Sequence, residues 1–338
     1  MRKVNLTHWS VVLVMLACLA AVQAQGTEPT RSIVKITGDV YWAQNNNHYT
    51  VFLVTPEGII LGDPINTGFS TWLKGELERR FDVPVRYVLY SHHHGDHASG
   101  GAVFADTAQF VGHQNMINRL ALPAADTPLP GNASSMDSNG NGRIEQGEAD
   151  GALRNGFALI DANGDGVLSG AEVVRGPVSE VRAPDITFAD RKTITLGGKS
   201  VEIIYTGIIT HTDDMSVLYL KEDGVVFVCD FISIKRLPFR TLGDDRLDAW
   251  LNSIRAVELL DFDYVLPAHG KVGDKADVTA HRHYLEELRE AVSGGIAAGR
   301  TLEHLQQSIL LEKYKDWLNY DTQRTQNIEG MYNLLMNE

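Results

Sequence analysis

Beyond the first thirty residues, short apolar runs alternate with stretches in which apolar residues recur every three or four positions. Residues 32–43 alternate in polarity and are broken by Gly38-Asp39, which predicts a hairpin. Residues 49–54 and 59–62 are continuous apolar runs joined by Thr55-Pro56-Glu57-Gly58, a turn sequence, and predict a second antiparallel pair. The polar loop Gln44-Asn45-Asn46-Asn47-His48 lies between the two hairpins. Over 70–81, Trp72, Leu73, Leu77 and Phe81 take helical spacing, with Ser70 as the expected N-cap. Residues 85–90 read as a strand, 109–112 as another, and 100–105 and 114–120 as short helices. Strand pairs recur at 193–196 and 201–205 across Gly197-Gly198, and at 216–220 and 225–229 across Glu222-Asp223-Gly224. A helix over 245–260 gathers Trp250, Leu251, Ile254, Val257 and Leu260 on one face. A strand at 264–266 and helices at 275–297, 302–311 and 322–336 complete the chain. Strands followed by helices, twice over, predict an α+β fold of two mostly antiparallel sheets packed face to face with helices outside.

Composition changes this picture in two places. Pro123, Pro128, Pro130 and Gly131 mark a boundary, and residues 123–185 are acidic and rich in Gly and Asn. The expected organisation is therefore one domain made of 25–122 and 186–338, with 123–185 inserted. At the start, Arg2 and Lys3 precede an apolar core over 10–21 and a small-residue site at Val22-Gln23-Ala24, which reads as a secretory signal peptide spanning 1–24. A lipoprotein signal using Cys18 is the weaker alternative, because Met15-Leu16-Ala17-Cys18 departs from a lipidation box. The expectation is export to the periplasm or the medium, with no stable membrane anchor after cleavage. Past the leader the only cysteine is Cys229, so no internal disulfide is available. The formal charge of −13 argues against nucleic acid as a partner and leaves a small-molecule substrate; oligomeric state stays open.

The candidate chemistry is concentrated in Ser91-His92-His93-His94-Gly95-Asp96-His97, directly after the strand at 85–90. Imidazole and carboxylate are the usual donors to zinc, manganese and iron. Three later positions share the setting of a polar donor type at a strand end: His211, Asp230 and His269. Together with His92, His94, Asp96 and His97 they make seven candidate donors at one edge of the sheets.

The order His-x-His-x-Asp-His, Gly-x-x-His-Thr (Gly207 to His211-Thr212), a strand-end Asp and Pro-x-His-Gly (Pro267 to Gly270) resembles the metallo-β-lactamase-fold hydrolases. That resemblance implies an αββα sandwich with a dinuclear zinc site, and iron or manganese also suits these donors. It implies that His92, His94 and His211 hold one metal, that Asp96, His97 and His269 hold the other, and that Asp230 bridges them. Asp96 is further implied to align or deprotonate the nucleophile, a hydroxide between the metals, and Asp63 to orient a ligand histidine. His93 should point away from its neighbours on an extended backbone. Cys229 leaves an ambiguity, since a slip of one residue would bring its thiol to the metals in place of Asp230.

Within the insert, 137–148 and 161–172 each fit a twelve-residue calcium loop and resemble EF-hands. Their implied ligand positions are Asp137, Asn139, Asn141, Arg143, Glu145 and Glu148 in the first loop. In the second they are Asp161, Asn163, Asp165, Val167, Ser169 and Glu172, giving up to two calcium ions. Ile144 and Leu168 should pair across the loops. The short spacer between the loops favours a structural role over a sensor-type opening. Elsewhere, His48 reads equally as a residue overhanging the site or part of a solvated turn. His113, His281 and His283 read as surface or capping residues, and Arg236 and Arg240 as a solvated pair able to meet an anion. The expectation overall is an exported hydrolase attacking an ester, lactone or related carbonyl bond. Its alternatives are a class B metallo-β-lactamase and a calcium-binding module with a vestigial hydrolase site.

Overall fold

The computed structural model describes residues 28–207, 211–240, 242 and 246–337; the leader expected over 1–24 and part of the Gly207 to His211 motif lie outside them. The first sheet contains β1 (Arg31–Thr37), β2 (Val40–Asn45), β3 (His48–Thr55), β4 (Gly58–Leu61), β5 (Val85–Leu89), β6 (Gln109–His113) and, after the excursion below, β9 (Ile186–Phe188). Its pairings are antiparallel from β1 to β4 and parallel from β4 through β5 and β6 to β9. The second sheet orders β10 (Arg191–Leu196), β11 (Lys199–Tyr205), β12 (Ser216–Leu220), β13 (Val225–Cys229) and β14 (Tyr264–Pro267), antiparallel except for the parallel β13–β14 pair.

The apolar runs are continuous because the first sheet is covered on both faces. Val51, Leu53, Ile60, Leu89 and Val111 join the core that the second sheet shares. Their neighbours Phe52, Ile59, Leu61, Val88 and Phe110 join a second core beneath α1 (Thr67–Arg80), which contributes Phe69, Leu73 and Leu77. The two-residue period of a strand thus feeds both layers at once. On the other side, α7 (Leu247–Glu258), α8 (Lys275–Ala297) and α10 (Tyr320–Asn337) bury Leu251, Ile254, Leu285, Leu288 and Met331 into the core of the second sheet. The layering is the expected αββα sandwich. Among the described residues, no helix is long and apolar enough to cross a membrane.

Several boundaries differ from the sequence reading. The cap of α1 is Asn66, whose side chain accepts from Phe69 N at 3.0 Å. Ser70 lies inside the helix and its hydroxyl donates to Pro64 O at 2.7 Å. Thr67, Gly68 and Phe69 form a first turn ahead of Ser70, and Phe69 is fully buried. The helix expected over 245–260 spans Leu247–Glu258, with Leu259 as an 87% exposed C-cap. Short elements beyond the expected ones include the helical turn α2 (Gly95–Ala98), strand β9 and the 3-10 segment Glu312–Tyr314. The turn expected over 100–105 is the 3-10 segment Gly101–Phe104.

Between α3 (Gln114–Leu120) and β9 the chain leaves the sandwich. This excursion contains α4 (Gly131–Ser134), β7 (Ile144–Glu145), α5 (Gly151–Ile160), β8 (Val167–Leu168) and α6 (Gly170–Arg175). Ile144 pairs with Leu168, and both join Ala149, Phe157 and Ile160 in a separate small core. Residues 176–185 then strap back over the first sheet. Arg182 lies 3.9 Å over the Phe110 ring, and Phe110 and Asp185 exchange two hydrogen bonds. Pro177 packs so closely on Gly95 that a Cβ at residue 95 would collide with the Pro177 carbonyl oxygen. The last helix before α10 is α9 (Leu302–Ser308), shorter than the expected 302–311 because the backbone at Ile309 is extended.

Candidate metal centre

The strand directions place the candidate donors. β4 and β5 run parallel, so Asp63 and 91–97 emerge at one edge; β3 is antiparallel to β4, so His48 at its start lies at that same edge. β11, β13 and β14 all end facing this edge from the second sheet and deliver His211, Asp230 and His269.

Asp63 is fully buried and accepts from Ser91 N at 2.7 Å and from Ser91 Oγ at 2.6 Å. Burial raises its pKa to about 6, against the opposing influence of His97 and the Ser91 bonds. Ser91 Oγ also lies 2.8 Å from His92 Nδ1. With its one proton given to Asp63, the hydroxyl accepts from Nδ1–H, which leaves the lone pair of His92 on Nε2. His269 is fixed likewise, its Nδ1 donating to Asn47 O at 2.7 Å. Nε2 of each ring therefore faces inward.

Two groups of four donors result: His92, His94, His211 and Asp230, and His48, Asp96, His97 and His269, with the donor atoms of each group within 4.8 Å of one another. Asp230 sits between the groups. Its Oδ2 is 3.1 Å from His97 Nε2, 3.3 Å from His211 Nε2 and 4.0 Å from His92 Nε2, and its Oδ1 is 3.4 Å from His269 Nε2. All seven expected donors are thus brought together.

The chemistry of this set fits divalent cations. Burial drives the pKa of His92 far down and that of His94 to about 3, with neighbouring imidazoles adding to the effect, so both stay neutral and able to donate. Burial works against Asp230, yet His97 and His211 hold its carboxyl well below the usual range. For His97, Asp230 outweighs burial and lifts the imidazole to about 10. A proton on His97 balances the buried carboxylate in the metal-free chain; a cation would do so for both carboxylates. His97 Nε2 is buried and, though near Asp230, out of line for a hydrogen bond. That is the environment of a coordinating nitrogen.

Cys229 does not compete for the position of Asp230. Its Sγ lies 3.7 Å from His97 Nδ1 and 3.8 Å from His92 Nδ1, on the rear side of both rings, and 3.3 Å from Asp63 Oδ2. Burial and the two carboxylates push its thiol far up, which keeps it protonated. His93 points away as expected, to Asp214 at 2.9 Å. Asp214 was not singled out in the sequence. It is buried, also accepts from Thr212 Oγ1 at 2.5 Å, and ties the His211 loop to the His93 imidazole. His281 corrects the surface assignment: it is fully buried, and the spacing of Val278, His281, Leu285, Leu288 and Val292 along α8 already carried that signal. His113 caps α3 and His283 is exposed.

A cleft of about 500 Å³ opens over the centre, walled by Phe231, Pro238, Phe239, Leu242 and Trp250. Arg236 also lines it. Its Nε is buried without a hydrogen-bond partner, and among the described residues Arg236 forms no ion pair. Desolvation lowers its pKa against the pull of Asp230. Arg240 instead lies over the ring of Phe239 at 4.7 Å. In the excursion, Asp137 accepts from Asn141 N and Gly142 N, and Asp161 from Gly164 N and Gly166 N. Glu148 and Glu172 each fold back onto the opening residues of their own loop, at Ser138 N and Ala162 N.

A family model described as the metallo-beta-lactamase superfamily matches residues 50–269. A linear primary-alkylsulfatase from Pseudomonas sp. is 24% identical over 232 residues, which cover 64% of this chain and 40% of that protein. The chain therefore spans well under two thirds of that curated relative. Among solved structures, a metallo-beta-lactamase from Pontibacter korlensis superposes with a TM-score of 0.52 at 18% identity, covering 76% of this chain and 99% of that one. A stereoselective inverting sec-alkylsulfatase from Pseudomonas sp. gives 0.60 at 15% identity, covering 90% and 50%. Both likenesses are of fold.

Proposed function

The chain belongs to the metallo-beta-lactamase superfamily; on that premise we propose that it is a metal-dependent hydrolase that is exported, holds two zinc ions and cleaves esters that join an anionic group to an apolar tail, sulfate esters foremost. His92, His94 and His211 would hold one ion, Asp96, His97 and His269 the other, with Asp230 shared. Two such cations acidify water and offset the negative charge that develops on the substrate. The chain's own part is to orient and to exclude. Asp96, open to the cleft, accepts the proton of the attacking water, while Phe231 and Trp250 keep bulk water from one side.

The observation that carries the substrate class is Arg236, a guanidinium that meets no carboxylate among the described residues and stands beside an apolar wall. Such a group meets an anion with charge-assisted hydrogen bonds. The alkylsulfatase relative adds weight to sulfate over carboxylate esters. The insert over 123–185 we assign as a pair of structural calcium loops. Support comes from the loop closures at Glu148 and Glu172 and from the Ile144–Leu168 pair.

The test is metal content by mass spectrometry, followed by turnover of alkyl sulfates, carboxylic esters, lactones and β-lactams. The expectation is two zinc ions and up to two calcium ions per chain, with kcat/KM highest for a medium-chain alkyl sulfate. Arg236→Gln should lower that value by about tenfold or more, the worth of a charged hydrogen bond. Faster turnover of nitrocefin or a neutral ester, indifferent to Arg236→Gln, overturns the assignment.

A further inference from the structure

Seven donors account for the two-ion reading, and His48 is not among them. Yet His48 Nε2 stands 3.2 Å from Asp96 Oδ2, and the atom groups with Asp96, His97 and His269 inside a common 4.8 Å. We infer that His48 is an eighth donor, completing a four-residue set around the second ion; this rests on the reading that Asp96, His97 and His269 hold a metal.

The separations fit donors gathered around one cation. Nitrogen or oxygen donors about 2.0–2.1 Å from a tetrahedral zinc lie roughly 3.3 Å from one another. The separations from Asp96 Oδ2 are 3.2 Å to His48 Nε2 and 3.6 Å to His97 Nε2, which bracket that value. The His48 ring meets the His269 ring edge-on at 4.5 Å between centroids, so the two approach Asp96 from different directions. In the first group, His92 Nε2 and His211 Nε2 are likewise 3.2 Å apart. The two groups thus have the same spacing.

The backbone around His48 is built to hold that position. Tyr49 N donates to Ala268 O at 2.9 Å, and Asn47 O accepts from His269 Nδ1, so the hairpin is bonded to the loop that carries another donor of the same group. Asn46, at φ 56°, turns the tip, and its backbone N and side chain both bond to Thr30. Tyr49 stacks on Trp42 with centroids 4.0 Å apart. A histidine on a solvated turn needs none of these ties. The consequence is asymmetric: the first ion takes its carboxylate from Asp230, whereas the second has a full set even before Asp230 is counted. The second ion should be the more tightly held of the two, and its hold should depend on the hairpin.

The experiment uses the full chain with His48→Ala and His48→Gln. Zinc stoichiometry is read under a graded competing chelator, and the visible spectrum after cobalt substitution is recorded alongside. Gln keeps an amide donor to hold Asp96 but is a poor zinc ligand. The proposal expects both variants to lose affinity for one equivalent by at least about tenfold, with the other equivalent unchanged. It also expects the cobalt bands of that equivalent to change in both. Far-UV circular dichroism checks that the variants fold. If Gln restores wild-type affinity and spectrum, His48 acts only by a hydrogen bond to Asp96 and the proposal is overturned. Unchanged affinity in His48→Ala overturns it too, while leaving the two-ion reading intact. A wild-type chain that takes up one zinc at saturation removes the second ion, and this inference with it.

Discussion

Replacing Ser91 with alanine removes one oxygen atom that serves two buried groups. Asp63 Oδ2 loses the 2.6 Å bond from the hydroxyl and keeps the thiol of Cys229 at 3.3 Å as its remaining partner. His92 Nδ1 loses its 2.8 Å partner and with it the reason to carry its proton there. Once that proton can sit on Nε2, it competes with a cation for the nitrogen that faces His211 and Asp230. Loss of a partner behind a ligand histidine costs about 10–100-fold in metal affinity. Loss of a charge-assisted hydrogen bond to a buried carboxylate costs about 1.5–3 kcal/mol of stability. Ser91→Ala should therefore lower zinc affinity by one to two orders of magnitude and lower the unfolding free energy by the amount just given. Ser91→Thr, which keeps the hydroxyl, should recover most of both. Competition against a chromophoric chelator measures the first quantity and urea unfolding of metal-free protein the second. Zinc affinity within twofold of wild type in a folded Ser91→Ala protein would refute the Asp63–Ser91–His92 chain as the device that sets the tautomer.

Two further predictions concern the surroundings. His281 is buried with neither ring nitrogen hydrogen-bonded among the described residues, and burial lowers its pKa to about 4. The Phe231 carbonyl, already taken by Trp250, offsets only part of that. The unfolded chain takes up this proton near pH 6.5 while the folded chain refuses it, so the stability is complete above that pH and lost as pH falls toward 4. Denaturant unfolding at pH 7.5 and pH 4.5 should show a loss about 2.5 kcal/mol larger in wild type than in His281→Leu; equal losses would sink the idea. Gly95→Ala forces a methyl group against the Pro177 carbonyl. It should cost about 1–3 kcal/mol by overpacking and reduce bound zinc, because His94 and Asp96 flank it; an unchanged melting temperature and metal content would show that the strap yields freely.

The sandwich was legible because β3, β4 and β13 are apolar on both faces, so continuous apolar runs marked them whatever lay on either side. The seven donors were legible because each follows such a run. What sequence could not show was contact made only by folding. His48 gained its position from a hairpin closing over a loop far along the chain, at a separation of 222 residues between Asn47 and His269. Asp214 reaches His93 only when the two sheets meet. The first turn of α1 opens on Thr67 and Gly68, which hide the start of the helix, although Phe69, four before Leu73, was there to count. His281 was misjudged through its polar neighbours on the chain, although its place on the apolar stripe of α8 was there to count.

The excursion over 123–185 sits where the topology requires a long connection in any case. β6 and β9 are adjacent and parallel, and parallel neighbours cannot be joined by a tight turn; they need a crossover of a dozen residues or more. Expanding that crossover into a unit with its own core roughly doubles the chain length between His97 and His211. In loop-closure entropy each doubling costs only about 0.6 kcal/mol. A module placed between consecutive donors therefore leaves the energetics of assembling them almost untouched, while a tight hairpin elsewhere in either sheet would have lost its register to the same insertion.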